Sequence, residues 1–301
     1  MTIIKIGAKR GEEFNFFYQT FGNGIEKVIL IHGFLTQGNK WKRQIEFLEQ
    51  QQDFEICIFD NRGVGQTDNP KSKITTKEMA LDVVDLMDHL GWSQAHVVGA
   101  SMGGMIALEL AHHAPKRIKS LVLAVTGAGD TPPMSAVVNF SKSMIEKQAD
   151  KKVELFLQLL HSPAYLAANR ERLMAERLLQ AETDPEPSMS ATMGHLRAVL
   201  THKVSSKRLA DIKASKIPIL VVTGSLDNLV KTSNSYHLSK ALQPVDFIVY
   251  NNCGHAIHIE RTNEFNNDIL KHMRAYSFNN STPTSITTSI SSTSHQNTPT
   301  F

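Results

Sequence analysis

The sequence is poor in cysteine: Cys57 and Cys253 are the two in 301 residues. Two give neither a disulfide framework nor a metal-ligand spacing, and the count suits a reducing compartment. Each sits in an apolar run or beside a Gly-His pair and reads as a small core residue. No apolar run nears the ~20 residues of a membrane span. The first residues, MTIIKIGAKRGEEFNFF, contain no apolar core of signal-peptide length. No run of Lys and Arg exceeds two residues, and the net charge is only +3, so a nucleic-acid footprint is not expected. Neither H-x-x-E-H nor H-E-x-x-H occurs, and the glycines at 33–38 and 63–65 match neither a P-loop nor a dinucleotide fingerprint. Metal, cofactor and nucleic acid are therefore not expected. A cytoplasmic protein acting on a small molecule is, with its oligomeric state left open.

The tail also lacks something. Residues 277–301 contain no Lys, Arg, Asp or Glu, and 14 of the 25 are Ser or Thr. Such a segment buries too little to offset its ordering entropy and is expected to be disordered. Ahead of it, short Val- and Ile-rich runs alternate with helical patterns. The runs are 26–33, 54–60, 95–100, 120–127, 217–225 and 245–251. They show little period-2 alternation, as expected of strands covered on both faces. The helical patterns are 41–51, 75–91, 102–113, 234–243 and 262–276, with Thr75 as an N-cap and Gly91 after the last turn of the second. The alternation predicts an α/β fold with a mainly parallel central sheet. FNFFYQTFGNG (14–24) fits a hairpin strand ahead of the parallel part.

From about 131 to 216 no strand pattern occurs. Helical stretches at 134–149, 151–160, 164–182, 188–203 and 205–213 replace it. The expected organisation is a core of 1–130 and 217–276, an inserted helical cap at 131–216 and the tail at 277–301. The insert has 13 Lys and Arg against 9 Asp and Glu, which reads as a solvated surface. Val137, Val138, Met144, Leu155, Leu159, Leu173, Met193 and Leu196 are its expected core.

In VVGASMGGMIALELA (97–111), Ser101 stands between Gly99 and Gly103 where a strand gives way to a helix. A sharp turn there needs small residues two before and two after the serine. It would expose the hydroxyl above the sheet edge, with a helix N-terminus aimed at it. A hydroxyl is a weak nucleophile and needs an oriented base. Asp227 follows a later strand, ILVVTG, and His255 follows the last, FIVYN, both where ligands bind in open α/β sheets. The order Ser, Asp, His is that of a known triad arrangement. Early in the chain, His32-Gly33-Phe34 follows a strand, so the N–H groups of Phe34 and Met102 are candidate oxyanion donors. Asp60, Arg62, Gly63 and Gly65 in FDNRGVGQTD are expected to brace a loop.

The stretches HGF, DNRGVGQTD, GASMGG, GSLDNLV and GHAIHIER together resemble the α/β-hydrolase superfamily, of serine hydrolase, esterase- or lipase-like type, over about 14–275. The resemblance implies Ser101 as nucleophile, His255 as base, Asp227 as its orienter and the insert as a lid. Asp130 is the second choice of acid, ahead of Asp60 and Asp68, while His32, His112, His113 and His258 are expected to be structural. An aspartate nucleophile is excluded at position 101. The expected reaction is hydrolysis of a carboxylic ester, of a small lipid or acyl kind, through an acyl-enzyme. Thioester or carbon–carbon bond hydrolysis by the same residues, and a low-turnover ligand-binding receptor, are the alternatives. A tail that recruits partners is a third.

Overall fold

The computed structural model describes residues 2–129, 138, 141–143 and 145–277. Among them, eight strands form one sheet: β1 (Thr2–Ile6), β2 (Phe14–Phe21), β3 (Glu26–Ile31), β4 (Phe54–Phe59), β5 (Ala95–Ala100), β6 (Ile118–Ala124), β7 (Ile219–Gly224) and β8 (Asp246–Tyr250). Their order is β1-β2-β4-β3-β5-β6-β7-β8. β1 and β2, and β2 and β4, pair antiparallel; every later pair is parallel. The mainly parallel α/β sheet expected from the sequence is what the chain forms. β1 was not anticipated. Its TIIKI buries Ile4 and Ile6 and exposes Thr2, Ile3 and Lys5, the alternation of a strand covered on one face.

The absence of alternation in the inner strands has a simple cause. Ile29 and Ile31 of β3, Val97 of β5 and Leu121 and Leu123 of β6 pack into one hydrophobic layer. Their neighbours Val28, Leu30, Val98, Val122 and Ala124 pack into the other. Helices cover both faces: α1 (Lys42–Glu49), α2 (Thr76–His89), α3 (Met102–His113), α8 (Thr232–Leu242) and α10 (Thr262–Ala275), with a short α9 (Ile257–Glu260). Thr75 caps α2 by accepting from the Glu78 amide at 3.1 Å. α3 is buried almost all round, from Met102 to Ala111.

Between β6 and β7 lie α4 (Ala149–Leu160), α5 (Pro163–Thr183), α6 (Met189–Thr201) and α7 (Ser206–Ala214). Of the helix expected at 134–149, positions 138, 141–143, 145 and 149 are helical, 146–148 are not, and the others fall outside the described residues, as do Val137, Met144, Asp130 and 278–301. Leu159 and Leu173 are buried as expected, but Met193 (55% exposed) and Val138 (41%) are not. α6 turns Ala191, Thr192, His195 and Ala198 inward, which leaves Met193 on its outer side. The stems of this helical segment meet at its base. The Val204 amide donates to the Ala128 carbonyl at 2.7 Å, and a side chain on Gly129 would lie 2.1 Å from the His202 carbonyl oxygen.

Buried histidines make this fold sensitive to acid. Burial pushes His202 and His272 down to about 4 and His258 to about 3. Unfolded, each titrates near 6.5. The unfolded chain therefore binds more protons as pH drops from about 6.5 towards 4, and stability falls through that window. Thermal melts from pH 7 to pH 4.5 should show a falling midpoint. The fall should be shallower in His202→Gln, which removes one such group.

Candidate active site

Ser101 occupies a strained turn. Its backbone has φ 57° and ψ −122°, a conformation that non-glycine residues rarely adopt. The fold holds it there by bonding: its amide donates to Ala124 O at 2.9 Å, and its carbonyl accepts from Gly104 and Met105 N–H and from Thr126 Oγ1 at 2.7 Å. The flanking glycines are required by contact. A β-carbon on Gly99 would sit 2.4 Å from Gly103 O, and one on Gly103 would sit 2.1 Å from Ile31 O. Both obstacles are backbone. The turn thus wedges the start of α3 against the end of β3, and only hydrogen fits between. Met102 opens α3; its N–H belongs to the first turn, whose amides lack intrahelical acceptors.

The loop after β3 lies directly against the serine. A β-carbon built on Gly33 would be 3.1 Å from Ser101 Cβ and 3.5 Å from its Oγ. His32 Nδ1 accepts from the Gly33 amide at 2.7 Å, and Asn61 Nδ2 donates to His32 O at 3.2 Å. Burial first, then the nearby His258, Arg177 and Lys40, disfavour the charged form of His32 and hold it far below the usual imidazole range. The ring stands 5.1 Å from Trp41 and 5.5 Å from His258 between centroids. Those rings pack against it. Phe34 follows, and then Leu35 at φ 49°.

Asp227 lies past β7 and His255 past β8, on the carboxyl edge that also carries Ser101. His255 Nδ1 and Asp227 Oδ2 are 2.8 Å apart. Asp227 Oδ1 accepts from the Leu229 and Val230 amides at 2.9 and 2.8 Å, so the carboxylate is fixed in its own loop. Its side chain is fully buried and that of His255 is 7% exposed. With Nδ1–H donated to the carboxylate, Nε2 carries the lone pair and can take a proton. Asp60 instead accepts from the Gly38 and Gln66 amides at 2.9 and 3.0 Å and braces its loop. Arg62, 1% exposed, grips Asp82 through Nε and Nη2 at 2.7 and 2.6 Å.

Sequence reasoning missed His195 of α6. Its Nε2 donates to Arg62 O at 2.9 Å and its Nδ1 accepts from the Leu35 amide at 3.3 Å. Its ring also meets Phe34, 6.0 Å between centroids. A helix of the inserted segment therefore holds the loop next to the serine. No local pattern marks this residue; the partner loops lie 133 and 160 positions away. Among the described residues, no cluster of His, Cys, Asp or Glu is arranged to hold a metal, and no helix is long and apolar enough to cross a membrane.

Comparison with known proteins adds the following. Residues 27–262 match the family described as alpha/beta hydrolase fold. A 2-hydroxy-6-oxo-6-phenylhexa-2,4-dienoate hydrolase of Comamonas testosteroni is 28% identical over 90% of this chain and 95% of its own length. The dihydrolipoyllysine-residue acetyltransferase component of the acetoin cleaving system of Cupriavidus necator is 27% identical over 85% of this chain; the chain spans 66% of that protein. A thermophilic esterase from Thermogutta terrifontis has the same fold, with a TM-score of 0.75 at 22% identity, over 92% of this chain and 100% of the esterase.

The wedge at Ser101 can be tested by adding one carbon. Gly103→Ala should cost at least about 3 kcal/mol, because backbone on both sides must yield. Gly91→Ala is the control: its φ is +68° with nothing within 4 Å, so only about 1–2 kcal/mol of left-handed strain applies. Denaturant midpoints of the two variants measure the difference.

Proposed function

This chain belongs to the α/β-hydrolase family, and from that membership we propose that it is a serine hydrolase of carboxylic esters, with Ser101, His255 and Asp227 as its catalytic groups. The observation that carries the reading is the His255–Asp227 hydrogen bond of 2.8 Å, formed on the sheet edge where Ser101 is held in a strained turn. In this mechanism Ser101 Oγ attacks the ester carbonyl carbon while His255 Nε2 takes its proton. The N–H groups of Met102 and Phe34 stabilise the oxyanion. The imidazolium, steadied by Asp227, gives its proton to the departing alcohol. Water, deprotonated by His255, then attacks the acyl-enzyme, and collapse releases the acid and the free serine.

The segment 131–216 acts in this reading as a lid over the core of 1–130 and 217–276, with 277–301 as an appended tail. His195 supports it, since α6 reaches down to the loop at Phe34–Leu35. The substrate class is a small acyl or lipid ester, met in the cytoplasm. Carbon–carbon bond hydrolysis is the second reading, because a relative matched over 95% of its length is a 2-hydroxy-6-oxo-6-phenylhexa-2,4-dienoate hydrolase.

A fluorophosphonate probe and a panel of p-nitrophenyl esters of graded chain length test the proposal. Ser101 should be labelled rapidly, and Ser101→Ala should lose labelling and ester turnover while keeping its fold. Asp227→Asn should lower kcat by roughly 10⁴-fold, as when a triad histidine is left in the wrong tautomer. Turnover of a vinylogous diketone with every ester inert would favour the second reading. A folded wild type that neither labels nor turns over would leave the receptor.

A further inference from the structure

The carboxylate of Glu260 is used by none of the steps above, yet its side chain is only 2% exposed. It stands at the end of α9, five residues after His255. Oε1 accepts from the Ser162 amide at 2.8 Å and Oε2 from the Ser162 hydroxyl at 2.7 Å. Gly254 packs against the same carboxylate, a β-carbon there falling 2.8 Å from Oε1, and His161 Nδ1 lies 3.3 Å from Oε1. One buried carboxylate therefore touches two separate pieces of chain. One is the corner between α4 and α5 in the inserted segment; the other is the residue just before His255.

The corner is built to receive it. Ser162 is the N-cap of α5, and its hydroxyl accepts from the Tyr165 amide at 3.4 Å while donating to Glu260. Pro163 occupies the first helical position, where its missing N–H costs nothing. Two more contacts run alongside. The Ala256 amide donates to Leu160 O at 2.8 Å, and Tyr165 Oη donates to Ile259 O at 3.3 Å. A β-carbon on Gly254 would be 2.6 Å from Ser162 N and 2.8 Å from Glu260 Oε1. The approach is thus as close as the backbone allows. Burial pushes the Glu260 carboxyl up, but the bonds from His161 and Ser162 outweigh it and hold it below the usual carboxylate range. It is ionised at neutral pH, where such bonds are at their strongest.

We propose that Glu260 is a positioning residue: it ties the loop carrying His255 to the α4–α5 corner, so that the base is correctly placed only when this part of the inserted segment is seated. The inference rests on the reading of Ser101, His255 and Asp227 as the catalytic groups. Its chemical content is a shared acceptor. When the corner lifts, Glu260 loses both Ser162 donors and the Ala256 amide loses its bond to Leu160 at once.

Two measurements on the full chain test it. Hydrogen exchange of Glu260→Gln should show the amides near 162–165 and those of 254–257 losing protection together. Kinetics on the best p-nitrophenyl ester should show kcat falling about tenfold with KM within twofold. Ser162→Ala should move both readouts in the same direction, and the double variant should be no worse than Glu260→Gln alone. Should Glu260→Gln fail to fold, Ser162→Ala decides by the same two readouts. Exchange rising on one side only, kcat staying within twofold, or KM rising as kcat falls would each overturn the proposal. If the wild type neither labels at Ser101 nor hydrolyses any ester, the catalytic reading fails on its own account. The exchange comparison then still upholds or removes the clamp.

Discussion

The approach of Gly103 to the carbonyl of Ile31 constrains everything around it. A strand end and a helix start meet there with no room for a methyl group, and the serine between them is forced to positive φ. Strain of that kind persists only where surrounding bonds over-determine it. Here they do: Ala124, Gly104, Met105 and Thr126 all bond to the Ser101 backbone. The cost is met by an interior in which α3 is buried on nearly every side. Stability in the sheet is converted into one exposed conformation at its edge.

The two other side chains proposed to act are held by different means. Asp227 is fixed within its own loop by two amides, whereas His255 depends on partners at a distance. Its ring is oriented by Asp227 across two strand ends, and of its backbone neighbours Gly254 packs against Glu260 and Ala256 bonds to Leu160. The loop at Phe34 likewise leans on His195. The edge of the sheet supplies positions, but the segment between β6 and β7 supplies two of the contacts that keep those positions in register. Precision at such a site commonly comes from supporting bonds of this sort.

Legibility in the sequence followed range of interaction. The strands could be read because both faces are buried, which writes itself as continuous Val and Ile. That Ser101, Asp227 and His255 stand at the carboxyl edge of the sheet could be read because each follows such a run. That the loop carrying Phe34 lies near Ser101 was suggested by HGF alone. By contrast, β1 was overlooked because its five residues follow a different rule, one face in and one face out. His195, and the partnership of Ser162 with Glu260, were illegible for a deeper reason. They join positions 98 to 160 residues apart, and no local pattern encodes which side chains will meet. Met193 was misplaced because composition tells that a helix has an apolar side without telling which residues face inward.

The stitched base of the inserted segment has an evolutionary implication. Ala128 and Val204 close the stem with one backbone bond, and Gly129 packs against the carbonyl of His202. Such a neck asks little of what lies beyond it, since the bond uses main chain and the tight approach requires only a glycine at 129. Helices above it can be lengthened, shortened or exchanged while strand order and register stay as they are. That segment could then be remodelled by itself, provided that a histidine still reaches Leu35 and a hydroxyl still reaches Glu260.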